Sequence, residues 1–72
     1  MNEKKFCQKV LLCVNTRGNT FFDNLVKREA KSVYNSFKKK NLDDMDIQKK
    51  ALNAATFRSY LEINEWLRKG LF

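Results

Sequence analysis

The stretch FKKKNLDDMDIQ, residues 37–48, places three lysines shortly before three aspartates, and this order decides how the chain divides into helices. Lysines are favourable where a helix ends, because the unpaired carbonyls there carry partial negative charge. Aspartates are favourable where a helix starts, because unpaired N–H groups point outward. Residues 38–40 therefore predict the last turn of one helix, and Asp43, Asp44 and Asp46 predict the first turn of the next. A solvated run of charges is the alternative.

The apolar residues on either side of the aspartates suggest where the second of these helices begins. With Asp43 as the N-cap, Leu42 precedes the cap and Ile47 is the fourth helical residue. This is the spacing of a hydrophobic staple, in which the two apolar side chains pack across the cap. The sequence therefore predicts a helix–turn–helix corner with the second helix starting at Asp44.

Composition favours one small, ordered, helical domain over residues 1–72. Apolar residues make up 43 % of the 72 residues and there is no proline. A chain of this length builds only a marginal core, so a partner is expected to supply part of the stability. Cys7 and Cys13 are six residues apart, which fits neither a zinc knuckle nor a redox pair, and we expect both to be reduced and half-buried.

The excess of positive over negative charge lies entirely in the first forty residues. Residues 1–40 contain ten Lys or Arg and three acids, while residues 41–72 contain five of each, so the net charge of +7 belongs to the first forty residues. Such asymmetry predicts an acidic partner: a nucleic acid, an anionic membrane surface or an acidic protein. No apolar run approaches the ~18 residues needed for a membrane span.

The first helix is predicted over residues 3–15. Phe6, Val10 and Val14 recur at the spacing of one helix face. Residues 10–14 are continuously apolar, so a strand over residues 6–14 is the alternative. Residues 15–19, NTRGN, contain one of the two glycines and predict a turn.

The second helix is predicted over residues 21–40, with Thr20 and Asp23 as a capping box. One face is basic and presents Lys27, Lys31 and Lys38. The opposite face is an apolar stripe with helical spacing, which indicates a strongly amphipathic helix. The stripe consists of Phe22, Val26, Ala30, Val33 and Phe37.

The third helix is predicted over residues 44–69, with Gly70 ending it. The apolar periodicity of its alanine-rich first half is interrupted at Arg58. Ser59 and Glu62 have the spacing of a second capping box. Either the helix kinks and restarts near Ser59, or it continues and is apolar on several sides, which would imply contact with another chain. The fold prediction is all-α: a small three-helix bundle.

The residues point to binding and not to catalysis. There is no histidine, no glycine-rich phosphate loop and no carboxylate pair in an apolar setting, so we predict that the protein is not an enzyme. One binding hypothesis is a helix-turn-helix for nucleic acid, with a turn at residues 55–58 and a second helix ending in WLRKGLF. Glu62 and Glu65 argue against it, because phosphate contacts require Lys and Arg.

A second hypothesis comes from three segments: QKVLLCVN (8–15), VKREAKSVYNSF (26–37) and FKKKNLDDMDIQKKALNAA (37–55). Their order, an aliphatic helix, a basic helix ending in phenylalanine, then a basic-Asn stretch and an acidic turn, resembles the LYR family of small mitochondrial proteins. The resemblance covers residues 8–55. The Leu-Tyr-Arg motif itself is degenerate, with residues 12–14 or 13–15 at its place.

The resemblance implies an adaptor in the mitochondrial matrix that binds the acidic acyl carrier protein and stabilises a larger assembly. That assembly would be the mitochondrial ribosome, a cysteine desulfurase of iron–sulfur biogenesis, or a respiratory complex. The protein would need no cofactor of its own, because the carrier supplies an acyl chain on 4′-phosphopantetheine.

Three groups of residues receive roles from the resemblance. The lysines implied to contact the carrier are Lys27, Lys31, Lys38, Lys39 and Lys40. The residues implied to line the acyl chain between the helices are Phe22, Val26, Ala30, Val33, Phe37, Ala51 and Ala55. The residues implied to face the larger assembly are Phe57, Tyr60, Trp66 and Leu67.

Overall fold

Three helices pack into a small bundle in the computed structural model, which describes residues 1–70. They are α1 (Glu3–Cys13), α2 (Thr20–Phe37) and α3 (Met45–Arg68), and each contacts the other two. The predicted all-α three-helix bundle is confirmed. Residues 6–13 are helical and no strand occurs within residues 1–70, so the strand alternative for the first segment is wrong.

The first helix begins at a side-chain cap and ends when the chain turns toward the core. The Asn2 side chain accepts a hydrogen bond from the Lys5 amide at 2.8 Å, which satisfies one unpaired N–H of the first turn. Phe6 and Val10 are fully buried. Helix α1 ends two residues before the predicted limit, because Val14 adopts extended backbone and is itself buried.

A tight turn joins α1 to α2, as NTRGN predicts. Gly18 has a φ of 75°, in the left-handed region that glycine enters without strain. The N-cap of α2 is Asn19, whose side chain accepts from the Phe22 amide at 3.1 Å. The capping box predicted at Thr20 and Asp23 is therefore wrong. Thr20 is already helical, and Asp23 accepts a hydrogen bond from the Thr16 hydroxyl instead.

The second helix ends at Phe37, so residues 38–40 follow the last turn and do not form it. The Lys40 amide bonds back to the Phe37 carbonyl at 2.9 Å, in a turn that leads the chain away from the helix axis. Leu42 is then buried in the core, with 6 % of its surface exposed. Burial of Leu42 is the physical reason for the early end, since a helix continued to Lys40 would carry the chain past the core.

The third helix begins one residue later than predicted. Its N-cap is Asp44, whose side chain accepts from the Asp46 and Ile47 amides at 2.9 and 3.3 Å. Asp43, the predicted cap, instead accepts a hydrogen bond from the terminal ammonium of Met1 at 2.6 Å. Ile47 is thus the third helical residue, and it still packs against the same core as Leu42.

The third helix runs unbroken from Met45 to Arg68, so the predicted restart near Ser59 does not occur. The Ser59 hydroxyl is buried and donates to the Ala55 carbonyl at 2.8 Å. This bond satisfies the hydroxyl within the preceding turn, which removes any need for it to cap a new helix. Gly70 follows the helix end with a φ of 69°, as predicted.

Small residues let the helices approach closely around one core. Ala30 on α2 and Ala51 and Ala55 on α3 have no exposed surface. These alanines therefore serve close packing, as their small size allows. The buried apolar residues of the core are Phe6, Val10, Val14, Phe22, Leu25, Val26, Ala30, Val33, Leu42, Ala51, Ala55 and Ile63.

Candidate functional site

A groove of about 500 Å³ lies between α1 and α2 and collects lysines from both helices. We call it the basic groove. Lys4 comes from α1, and Lys27 and Lys31 come from α2, one helical turn apart. The full lining is Glu3, Lys4, Cys7, Gln8, Leu11, Lys27 and Lys31.

The floor of the basic groove is apolar and borders the core. Cys7 and Leu11 are half-buried and pack against the buried core residues. The Cys7 thiol lies 4.0 Å from the Lys27 carbonyl, so the side chain faces α2. A ligand in this groove would therefore meet positive charge at the rim and apolar surface below it, which suits an acidic group carrying an apolar chain.

The surroundings of Cys7 favour the protonated thiol. Burial raises the pKa of its thiol, and the neighbouring Glu3 carboxylate raises that pKa further, while Lys27 and Lys31 offset only part of the effect. A protonated thiol is a weak nucleophile, so the groove carries no activated cysteine. Cys13 is also a free cysteine, on the last residue of α1, but it is exposed, so the expectation of a half-buried side chain is wrong for Cys13.

The five predicted carrier-binding lysines fall into two groups. Lys27 and Lys31 line the basic groove, whereas Lys38, Lys39 and Lys40 lie in the turn after α2. The Lys40 ammonium is held 5.1 Å above the Phe37 ring by a cation–π contact. All five are exposed, and Lys27 and Lys38 are separated by roughly 16 Å along the helix direction at 1.5 Å per residue.

The residues predicted to line an acyl chain lie in the packed core. Val26, Ala30, Ala51 and Ala55 have no exposed surface, and Phe22 and Val33 are also buried. Phe37 differs, because it is half-buried and borders a groove of about 290 Å³ between α2 and α3. Six of the seven predicted acyl-lining residues therefore lie together in a closed core. An acyl chain could enter that core only by displacing side chains.

The residues predicted to face a larger assembly do not share one environment. Phe57, Tyr60 and Leu67 are exposed, with 65 %, 38 % and 51 % of their surfaces accessible. Trp66 is half-buried, and its ring packs edge-on against Phe21 with centroids 5.0 Å apart. Trp66 therefore contacts α2 of its own chain, and the Lys69 ammonium also lies 5.7 Å from the centre of its ring.

Tyr60 and Leu67 belong to a separate groove beside the α1–α2 turn. This groove, of about 420 Å³, is lined by Asn15, Asn19 and Asn64 as well as by Tyr60 and Leu67. The Tyr60 hydroxyl accepts a hydrogen bond from the Asn15 amide at 3.2 Å, which links α3 to the turn. We call this the end groove.

Sequence reasoning missed several residues of these surfaces. Lys4, Gln8 and Leu11 line the basic groove, and Leu61 is exposed on α3. Leu11 was visible beside the apolar stripe of the first helix, but spacing within one helix does not show which second helix covers it. Within residues 1–70, no three metal-binding side chains come together, and no helix has the length and apolarity to cross a bilayer.

Comparison with known proteins finds no matching family model, no similar curated protein and no similar solved structure.

Proposed function

We propose that the protein is a non-catalytic adaptor that binds acidic acyl carrier protein through the basic groove. The observation that supports the proposal is the combination of lysines from two helices with an apolar floor that borders the core. An acidic carrier would pair with Lys4, Lys27 and Lys31, which favours orientation and a fast on-rate. The resemblance to LYR proteins suggested the carrier class and the mitochondrial matrix.

The acyl chain on the carrier's phosphopantetheine arm would enter at Cys7 and Leu11. Both side chains are half-buried and pack against the core, so they stand between the groove and the residues predicted to surround the chain. The chain would add apolar volume to a core that is small because the protein has only 72 residues. Docking to a larger assembly would use the end groove, where Tyr60 and Leu67 are exposed.

The nucleic-acid hypothesis receives less support. It needed a turn at residues 55–58, but those residues lie inside the continuous helix α3. The lysines of the basic groove surround an apolar floor, which a phosphate backbone would not use.

Calorimetric titration with acylated carrier protein tests the proposal. The variant is Lys4→Glu/Lys27→Glu/Lys31→Glu, and the control Lys5→Glu/Lys49→Glu/Lys50→Glu makes the same change in net charge at exposed sites outside the groove. Single exposed ion pairs are worth only ~0.2–1 kcal/mol, so losing three together should weaken binding by between about threefold and about 150-fold. Equal losses in variant and control would show that only net charge matters and would contradict the groove.

The acyl chain is tested by comparing acylated and unacylated carrier. Leu11→Ser should weaken binding of the acylated form and leave the unacylated form unchanged, because the substitution makes the groove floor polar. The matched control is Leu12→Ser, since Leu12 is the next residue and is 87 % exposed. Equal effects on both carrier forms would remove the acyl chain from the proposal.

An intact-mass pull-down separates the two binding hypotheses. Recovery of nucleic acid in place of carrier protein would favour the nucleic-acid hypothesis.

A further inference from the structure

An apolar stripe on the outer side of α3 is left uncovered by α1 and α2. Phe57 and Leu61 lie one turn apart and are 65 % and 54 % exposed. The opposite side of the helix is buried at Ala51, Ala55 and Ile63. We call Phe57 and Leu61 the outer stripe. It lies apart from the basic groove, which is formed by α1 and α2.

The charges beside the outer stripe are balanced, unlike those of the basic groove. Residues 41–72 have equal numbers of basic and acidic side chains. Arg58 and Glu65 are both exposed and are seven residues apart, so two helical turns place them on the same flank of the stripe. The strongly acidic partner expected for the basic groove therefore does not suit this surface.

Arg58 and Glu65 match each other in an antiparallel pair of identical helices. Consider a two-fold axis that is perpendicular to the helices and lies midway between these residues, between Leu61 and Glu62. This axis puts the Arg58–Glu65 flank of both helices on the same side of the interface. Arg58 of each copy then faces Glu65 of the other, and the two Leu61 side chains meet near the axis. A parallel two-fold pair would instead put this flank of the two helices on opposite sides of the interface, so Arg58 and Glu65 could not pair between the copies.

Both charged residues are available for such an exchange. Within residues 1–70, Arg58 takes part in no salt bridge, although its charge acts on Glu29. Glu65 pairs with Arg68 three residues further on, and both side chains are largely exposed. Exposed ion pairs of this kind contribute little to the stability of the fold. Breaking the Glu65–Arg68 pair to form an ion pair between copies therefore costs little stability.

We propose that the protein forms an antiparallel two-fold homodimer through the outer stripe, with two Arg58–Glu65 ion pairs between the copies. Each copy covers the Phe57 and Leu61 side chains of the other. The pairing is isologous, so it closes at two copies and leaves both basic grooves facing away from the interface. Helix α3 is roughly 36 Å long at 1.5 Å per residue, which gives a small interface and a weak dimer.

Sedimentation equilibrium of the full chain from about 1 µM to about 1 mM tests the proposal, since weak specific complexes dissociate within that range. The wild-type protein should shift from monomer to dimer. Arg58→Glu alone and Glu65→Arg alone should each be monomeric at these concentrations, because each places like charges opposite one another. An equimolar mixture of the two variants should dimerise, since one copy then carries both acids and the other both bases.

The mixture distinguishes this geometry from other forms of association. A wild-type chain that stays monomeric to the highest concentration overturns the proposal, as does a mixture that remains monomeric while both variants keep wild-type helicity. Leu61→Ser, which changes no charge at a half-exposed site, should also abolish the dimer. Leu12→Ser on α1 is its control and should dimerise normally. Dimerisation of the Leu61→Ser chain would likewise contradict the interface.

Discussion

Asp43 and Asp44 are adjacent acids with different partners. Asp44 caps α3 through the Asp46 and Ile47 amides, while Asp43 is exposed and holds the Met1 ammonium. The hydrogen bond from that ammonium, together with its charge, lowers the pKa of the Asp43 carboxyl. The sequence showed that an aspartate would cap α3, but it could not choose between neighbours, because the choice depends on where the distant Met1 lies.

Replacing the two aspartates one at a time separates these roles. Asp44→Ala should lower the free energy of unfolding by about 1 kcal/mol, because two amides of the first turn lose their acceptor. Asp43→Ala should have the smaller effect, because it removes only an exposed ion pair. Urea denaturation followed by circular dichroism measures both, and a larger loss for Asp43→Ala would contradict the observed cap.

Glu29 on α2 lies beside Glu62 on α3, and Arg28 forms a salt bridge with Glu62 at 2.9 Å. Burial raises the pKa of the Glu29 carboxyl, and a hydrogen bond and charge repulsion from Glu62 raise it further, against the partial effect of Arg58 and Arg28. The folded protein therefore holds this proton more tightly than the unfolded chain. Its contribution to stability is present at acidic pH and is lost as pH rises through the raised pKa.

Glu29→Gln should consequently raise the melting temperature at pH 7 and have little effect at pH 3. The amide keeps a donor for Glu62 and removes the second negative charge. At pH 3, which is below the ordinary carboxyl pKa of about 4.3, Glu29 in the wild-type chain is already neutral. Differential scanning calorimetry at both pH values checks this, and an equal shift at both would show that ionisation of Glu29 is not the cause.

Helix α3 shows which features of an element its own sequence determines. Gly70 predicted where the helix ends, which is confirmed, and the alanine-rich first half is buried at Ala51 and Ala55. Continuity through Ser59 could not be decided, because serine can cap a new helix or bond to the preceding turn. The Ser59 hydroxyl bonds to Ala55 where the core excludes water, and only the packed structure reveals that burial.

Close packing at Ala55 gives a test of the core at the scale of the helix. Ala55→Leu should destabilise the isolated protein by about 1–3 kcal/mol, because no space accommodates the added carbons. Asn53→Leu is the matched control, since Asn53 is exposed on the same helix. Chemical denaturation compares the two. An Ala55→Leu chain as stable as wild type would mean that the core holds open space, as an acyl site formed in advance would require.

Charge divides the whole molecule into a basic part and a neutral part. The first forty residues, which contain α1 and α2, carry the whole excess of basic over acidic side chains, whereas residues 41–72, which contain α3, have five of each. The sequence identified this division and placed Lys27 and Lys31 on one surface. It could not identify Lys4 or Leu11 as neighbours of those lysines, because the pairing of α1 with α2 arises from packing over long sequence separations.

Salt should therefore affect the two proposed interactions differently. The association rate with acidic carrier protein should fall strongly between about 50 and 500 mM NaCl. At the higher salt concentration, the attraction of the lysines for acidic groups is screened beyond a few ångströms. Dimerisation should change less, since two ion pairs accompany an apolar contact. Stopped-flow association and sedimentation at the same salt concentrations measure the two. Carrier binding that is insensitive to salt would contradict an electrostatic role for the groove.

Trp66 is the sole tryptophan of the chain, and its edge-on packing against Phe21 makes it an intrinsic optical probe. Its ring joins α3 to the first turn of α2, so its emission should move to longer wavelength when those helices separate. Nine residues place Trp66 half a turn away from Phe57, on the far side of α3 from the outer stripe. Trp66 fluorescence should therefore change on unfolding but not on dimerisation. Unfolding can then be measured in an unlabelled sample without interference from self-association.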